Sequence, residues 1–172
     1  EVGVVARESD IRLSTHPGQF TLLCSRNPDV IQRSLEDLEY HADIFRLMGF
    51  DSSDHSQEIN IHGGAQSPDF REQFLANFRR LSSEARNWLS VENDEYSYGL
   101  DDLLPLADHV KILVDINHHW IHEGEYLDPD DLKLERVKAS WRGARPELHV
   151  SFPDETILAG HDAHVLPNLA LL

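Results

Sequence analysis

The sequence predicts an α/β chain that builds part of a parallel (β/α) barrel, and three observations predict it. Short β-rich runs alternate with helix-like segments throughout, the pattern of a parallel sheet whose strands are joined by helices. Almost every run ends in a metal-type residue: Ile11–Thr15 leads into His16, Glu58–Ile61 into His62, Leu89–Val91 into Glu92, Ile112–Val114 into Asp115 with His118 just beyond, and Leu148 into His149. No glycine-rich phosphate loop follows the first strand, and Gly63-Gly64 comes after a histidine and does not fit that spacing. An open doubly wound sheet keeps its chemistry at one switch point, whereas a barrel gathers it from every strand end. The barrel is therefore preferred.

In chain order, residues 1–8 read as the tail of an earlier helix. Strands are expected over about 11–15, 58–62, 89–92, 111–116 and 147–151, and helices over about 28–48, 68–87, 100–108, 129–140 and 161–171. Asn27-Pro28-Asp29, Ser67-Pro68-Asp69 and Asp128-Pro129-Asp130 each offer an N-cap residue, proline at N1 and an acid in the first turn. The helix over 28–48 carries Val30, Leu35, Leu38, Ile44, Phe45 and Leu47 at helical spacing, and Gly49 can close it. Residues 51–57 and 94–99 read as polar turns.

The 172 residues suit a single domain, read as one partial barrel over 1–172. Five strand–helix units are visible, against the eight of a closed barrel, which takes about 250 residues. The expectation is a central section of a barrel, truncated at both ends. A single cysteine, Cys24, suits a reducing compartment and a cytoplasmic protein. No apolar stretch is long enough to span a membrane, and no signal-peptide pattern is present. Nothing in the sequence calls for an oligomer, and a monomer is expected.

Acidic residues outnumber basic ones 31 to 15, a net charge of −16, and only Lys111, Lys133 and Lys138 are lysines. This is either an ordinary acidic surface or an adaptation to high salt. Acidity argues against nucleic acid, but molar salt screens long-range repulsion within a few ångströms. Arg26, Arg71, Arg142 and Arg145 are the loop residues expected to reach phosphates.

Convergent imidazoles and carboxylates suit a divalent metal cluster for hydrolysis. Glu92 and Asp115 are the carboxylates able to bridge two ions, and His16, His62, His118 and His149 suit zinc or manganese. His41, His55 and His109 read as solvated, His122 as a loop residue, and His119 as supporting or structural. Trp88, Trp120 and Trp141 read as packing residues. Asn93 either orients Glu92 or starts the turn.

Five motifs stand at successive strand ends: His16-Pro17-Gly18-Gln19-Phe20, Ile61-His62-Gly63-Gly64, Val91-Glu92-Asn93-Asp94, Asp115-Ile116-Asn117-His118-His119 and Leu148-His149-Val150-Ser151. In this order they resemble the UV damage endonuclease family, over about residues 10–165. The resemblance implies an incomplete TIM-type barrel related to the endonuclease IV class and a divalent metal cluster, most often Mn2+, with Zn2+ or Mg2+ as alternatives. It implies double-stranded DNA with UV lesions as partner, and a nick immediately 5′ to the photoproduct. It makes His16, His62, Glu92, Asp115, His118 and His149 metal ligands, with His161, or failing it His164, as a further one. The family's Gln–Tyr pair that probes the lesion is matched by Gln19-Phe20, which keeps the flat ring able to fill a gap in a base stack. Where the family carries a lysine two residues before the last histidine, this chain has Glu147. Glu147 shares a strand face with His149, so it either supplies a catalytic carboxylate alongside Glu92 and Asp115 or faces solvent.

Two rival readings use the same residues. One is another metal-dependent barrel enzyme, an abasic-site nuclease or a sugar isomerase. An isomerase wants a lysine near the metals, and none of the three lysines follows a strand's metal-type residue. The other is a non-catalytic fragment.

Overall fold

A computed structural model describes residues 1–150, so the helix expected over 161–171, with His161 and His164, lies outside the described residues. Five parallel strands run β1 (Ser14–Thr15), β2 (Glu58–His62), β3 (Leu89–Glu92), β4 (Lys111–Asp115) and β5 (Leu148–His149). Their spatial order is β1-β2-β3-β4-β5. An order that never reverses has no switch point, so the sheet curls one way into half of a barrel, as the sequence predicted.

The strands alternate strictly. Ile59, Ile61, Leu89, Val91, Ile112 and Val114 form one face and pack with the helices into the apolar core. Glu58, Asn60, His62, Ser90, Glu92, Lys111, Leu113, Asp115 and His149 occupy the alternate positions and face the barrel interior. Register levels them: His62 stands beside Glu92, Asn60 beside Ser90, and Asp115 beside His149.

Helix α1 covers Val2–Glu8 and α2 Pro28–Leu47. Asn27 caps α2 as expected, its Oδ1 accepting the Asp29 N–H at 2.9 Å. Gly49, at φ +82°, closes it: the Phe50 N–H reaches back to the Phe45 carbonyl at 3.1 Å. Ile31, Leu35, Leu38, Ala42 and Phe45 bury the inner face of α2, and Phe45 packs edge-on to Trp88.

The single helix expected over 68–87 is two, α3 (Phe70–Phe78) and α4 (Ser83–Trp88). A turn closes α3, and Ser82 restarts the chain by accepting the Ala85 N–H on its hydroxyl at 3.1 Å. The Ser67-Pro68-Asp69 and Asp128-Pro129-Asp130 devices make turns rather than caps. The Ser67 carbonyl accepts the Phe70 N–H at 3.2 Å. Asp128 folds back to accept the Asp130 N–H at 2.9 Å, which leaves Asp131 to cap α7 (Leu132–Ser140). Pro105 tightens the segment after α5 (Leu100–Leu103) into a 3-10 turn over Leu104–Leu106.

Helix α6 (Ile116–Glu123) has no counterpart among the expected helices. It starts directly at the end of β4, with Asp115 as its cap, so His122 is helical rather than a loop residue. Trp88 and Trp141 are fully buried, as expected, and Trp120 is half-buried and stacked on Tyr126. His41, His55 and His109 are half-buried rather than solvated, His41 against the Asp37 carboxylate and His55 against the Asn87 carbonyl.

Candidate metal centre

Five strand ends deliver the site. His16 follows β1, His62 and Glu92 end β2 and β3, Asp115 ends β4, and His149 ends β5. The ligand atoms of His16, His62 and Glu92 all lie within 4.8 Å of one another, and so do those of Glu92, Asp115 and His149. Glu92 belongs to both groups. Its Oε2 faces His16 Nε2 at 3.6 Å, while its Oε1 faces His149 Nδ1 at 3.0 Å. His118 adjoins both groups, its ring centroid 5.7 Å from that of His62 and its Nδ1 3.5 Å from Glu92 Oε1.

Hydrogen bonding sets the histidine tautomers. A carbonyl can only accept, so His16 Nδ1–H donates to the Pro17 carbonyl at 2.9 Å and His118 Nδ1–H to the Asn93 carbonyl at 2.9 Å. In the neutral rings each Nε2 then turns a lone pair toward carboxylates: Glu92 for His16, and Glu95 at 3.3 Å and Asp115 at 3.9 Å for His118. Lone pairs facing carboxylates are the arrangement that a cation between them relieves, with the other ring nitrogen fixed by a carbonyl. His62 Nδ1 is buried without a hydrogen bond among the described residues. The donor set therefore fits a divalent metal cluster.

Electrostatics favour the ligand forms in part. Burial pushes the His62 imidazole down, toward its neutral form. Burial opposes the charge on Glu92, which is 1 % exposed, but the hydrogen bond and charge of His149, together with Asn60, outweigh it and hold the carboxyl below its ordinary value. His149 goes the other way. The carboxylates of Glu147 and then Glu92 push it up to about 10. A metal must displace that proton to bind there.

Asp115 is held from two sides. Its Oδ1 accepts the His118 backbone N–H at 2.9 Å, which starts α6 and brings His118 back over the site. Asn93, fully buried, accepts the Asp115 N–H at 2.9 Å and donates to the Asp115 carbonyl at 3.0 Å. Asn93 thus orients Asp115 and His118 rather than Glu92.

Glu147 is neither solvent-facing nor in either ligand group. It is half-buried beneath His149, with its Oε1 3.8 Å from His149 Nε2 and its Oε2 3.6 Å from Arg12 Nη1. Beside the site, a turn in which the Thr21 N–H meets the Gly18 carbonyl at 2.8 Å presents Gln19 and Phe20 to solvent, with Phe20 78 % exposed. Arg26 is exposed in the segment after β1, and Arg71 is exposed in the first turn of α3, which follows β2. Arg142 and Arg145 lie between α7 and β5 at the opposite end of the sheet, where Arg142 donates to the His109 carbonyl at 2.7 Å and the Arg145 carbonyl accepts from Arg12. They cannot serve the same substrate face.

Sequence reasoning missed Asn60, Ser90, Glu58 and Glu95. The first three carry a signal that was available: polar residues at every second position of β2 and β3, in step with the terminal ligands. Glu95 reaches His118 from a turn, which no strand periodicity marks.

A family model described as UV-endonuclease UvdE matches residues 1–165. The UV-damage endonuclease of Neurospora crassa is 35% identical over 178 aligned positions, covering 94% of this chain and 27% of the fungal protein. The putative UV-damage endonuclease of Acanthamoeba polyphaga mimivirus is 33% identical, covering 98% of this chain and 53% of the viral protein. The UV DNA damage endonuclease of Bacillus velezensis is 28% identical and covers 99% and 55%. The chain thus spans about half the length of the viral and bacterial relatives and about a quarter of the fungal one. The crystal structure of SacUVDE superposes with a TM-score of 0.76 at 29% identity, covering 89% of this chain and 52% of that one. With strand order, the convergent strand-end donors and a match along nearly the whole chain in agreement, this chain belongs to the UV-endonuclease UvdE family.

Proposed function

We propose that this chain carries the metal-holding part of a DNA-repair endonuclease that nicks the backbone of double-stranded DNA 5′ to UV photoproducts. The observation that supports it most is the position of Glu92, shared between two donor triads and turning one oxygen toward each. His16, His62 and Glu92 would hold one divalent ion, and Glu92, Asp115 and His149 another, with His118 adjoining. Manganese is the metal proposed here, with zinc and magnesium as the ions to test against it. His161, outside the described residues, is retained as a further ligand. When bound, such ions lower the pKa of water toward neutrality and relieve charge on the departing oxygen.

The chain's own residues do the rest. The carbonyls of Pro17 and Asn93 fix the tautomers of His16 and His118, and Asn93 fixes the backbone at Asp115. Glu147, between Arg12 and His149, keeps a carboxylate at the floor of the site. Gln19 and Phe20 enter the base stack at the lesion, where an exposed ring beside the metal centre fills the gap that a distorted base pair leaves. Arg26 and Arg71 flank the same face and meet phosphates.

The isomerase reading is disfavoured by the lysines: Lys111 is buried at the start of β4, and Lys133 and Lys138 lie on α7. A strand-nicking assay on a duplex with one pyrimidine photoproduct tests the proposal, run with Mn2+ beside an undamaged duplex, an abasic duplex and a His62→Ala protein. A nick 5′ to the photoproduct, absent in the variant, is expected. Cleavage of the abasic duplex alone would replace this reading with an abasic-site nuclease.

A further inference from the structure

A column of polar side chains runs through the barrel interior beneath Glu92, and the metal ligands do not account for it. Glu58 is 0% exposed, Ser90 0% and Asn60 3%. Asn60 Nδ2 donates to Glu92 Oε2. Asn60 Oδ1 lies 3.1 Å from Ser90 Oγ, and Ser90 Oγ lies 2.5 Å from Glu58 Oε1.

The donors in this column can be assigned from one end. An ionised Glu92 can only accept, so the Asn60 amide must turn its nitrogen toward Glu92 and its oxygen toward Ser90. The single Ser90 hydroxyl hydrogen then goes to Asn60 Oδ1. Ser90 Oγ is left to accept from Glu58, so the hydrogen in that short contact belongs to the Glu58 carboxyl. The reverse assignment would leave Ser90 Oγ and Asn60 Oδ1 facing each other without a hydrogen. The surroundings agree. Burial, then the adjacent Glu147, push the Glu58 carboxyl up to about 8. The Ser90 contact and the Lys111 charge pull the other way but are outweighed: the Lys111 ammonium donates to the Gln57 carbonyl at 2.7 Å and the His55 carbonyl at 3.2 Å, and Arg12 pairs with Glu147. Glu58 Oε2 makes no hydrogen bond among the described residues.

We infer that Asn60 is the positioning residue for Glu92, and that a one-way hydrogen-bond chain from the Glu58 carboxylic acid through Ser90 holds its amide in the orientation that does so. The terminal torsion of a glutamate is a broad rotor. Anchoring Oε2 from below fixes that rotor so that the two oxygens address the two donor triads separately. The inference rests on the metal reading of Glu92, but the direction of the chain does not.

Two measurements on the 172-residue protein test it. The first is the carboxyl carbon resonance of Glu58 in metal-free protein at pH 7. A protonated carboxyl is expected, and an ionised one overturns the chain. The second is Mn2+ titration by calorimetry and electron paramagnetic resonance, with the fold checked by circular dichroism. Asn60→Asp and Ser90→Ala should each weaken Mn2+ binding about 10-fold or more, the usual effect of losing a group that orients a ligand. Ser90→Thr keeps the hydroxyl and Glu58→Gln keeps a donor toward Ser90, so both should bind as the parent protein does. Parental affinity in Ser90→Ala, or weakening in Glu58→Gln equal to that in Ser90→Ala, would overturn the positioning role. A parent protein that takes up no Mn2+ removes the metal reading instead, and the Glu58 resonance still decides the chain.

Discussion

Asn93 grips the backbone of Asp115 at both of its polar groups, accepting the N–H at 2.9 Å and donating to the carbonyl at 3.0 Å from a fully buried side chain. One amide therefore closes the join between β3 and β4 where the ladder ends. Asn93→Ala leaves a buried N–H and C=O unsatisfied, which costs about 2–4 kcal/mol. Urea unfolding should show that loss, and Mn2+ binding should weaken with it because Asp115 and His118 lose their frame. An unchanged urea midpoint would mean that water replaces the amide without penalty.

Because Glu92 belongs to both donor triads, single substitutions should sort by stoichiometry. Glu92→Ala is expected to lose both ions and all nicking. His16→Ala and His62→Ala should lose the ion of the first triad and keep that of the second. Metal analysis after gel filtration reads this directly, and equal losses in all three variants would argue for a single shared site.

Phe20 is 78 % exposed, so removing it should leave the fold untouched. Gln19→Ala with Phe20→Ala should unfold within a degree or so of the parent chain and take up metal normally. Lesion and undamaged duplexes should then bind equally. A persistent preference for the lesion would remove the wedge role.

Glu58 gives a pH signature. Its carboxyl lies at about 8 in the fold, against an ordinary 4.5. The folded state thus holds a proton that the unfolded chain releases. That contribution to stability is complete below about 4.5 and disappears as pH rises through about 8. Glu58→Gln removes the titration, so its thermal midpoint should fall less than the parent's between these limits. Parallel midpoint curves would place the proton elsewhere.

Much of this was legible in sequence. The five strands and the convergence of His16, His62, Glu92, Asp115 and His149 emerged from alternation and from the residue type that ends each run, because both follow from a parallel sheet whose strand ends share one edge. Cap chemistry was legible only where a cap was unopposed. Asn27 behaved as its motif suggests, while Asp128 spent its carboxylate on a local turn. Helix α6 was hidden because its first turn holds Asp115 and His118, whose strand-end reading masked the helical pattern. Position 147 was legible only as able to face inward from its spacing to His149, and its partners Arg12, just before β1, and Glu58, in β2, are far away in sequence. Glu95 was invisible for a related reason: only the folded turn brings it to His118.

The alternation of the strands has an evolutionary reach. In β2 and β3 the even-numbered residues line the interior and the odd-numbered ones pack on the helices, and in β4 and β5 the numbering inverts. Parity therefore separates two kinds of selection along a single strand. Neighbouring residues answer to different demands, one to packing on the helices and the next to the polar interior. The inward residues could therefore be exchanged as a set without disturbing the apolar layer that makes the barrel.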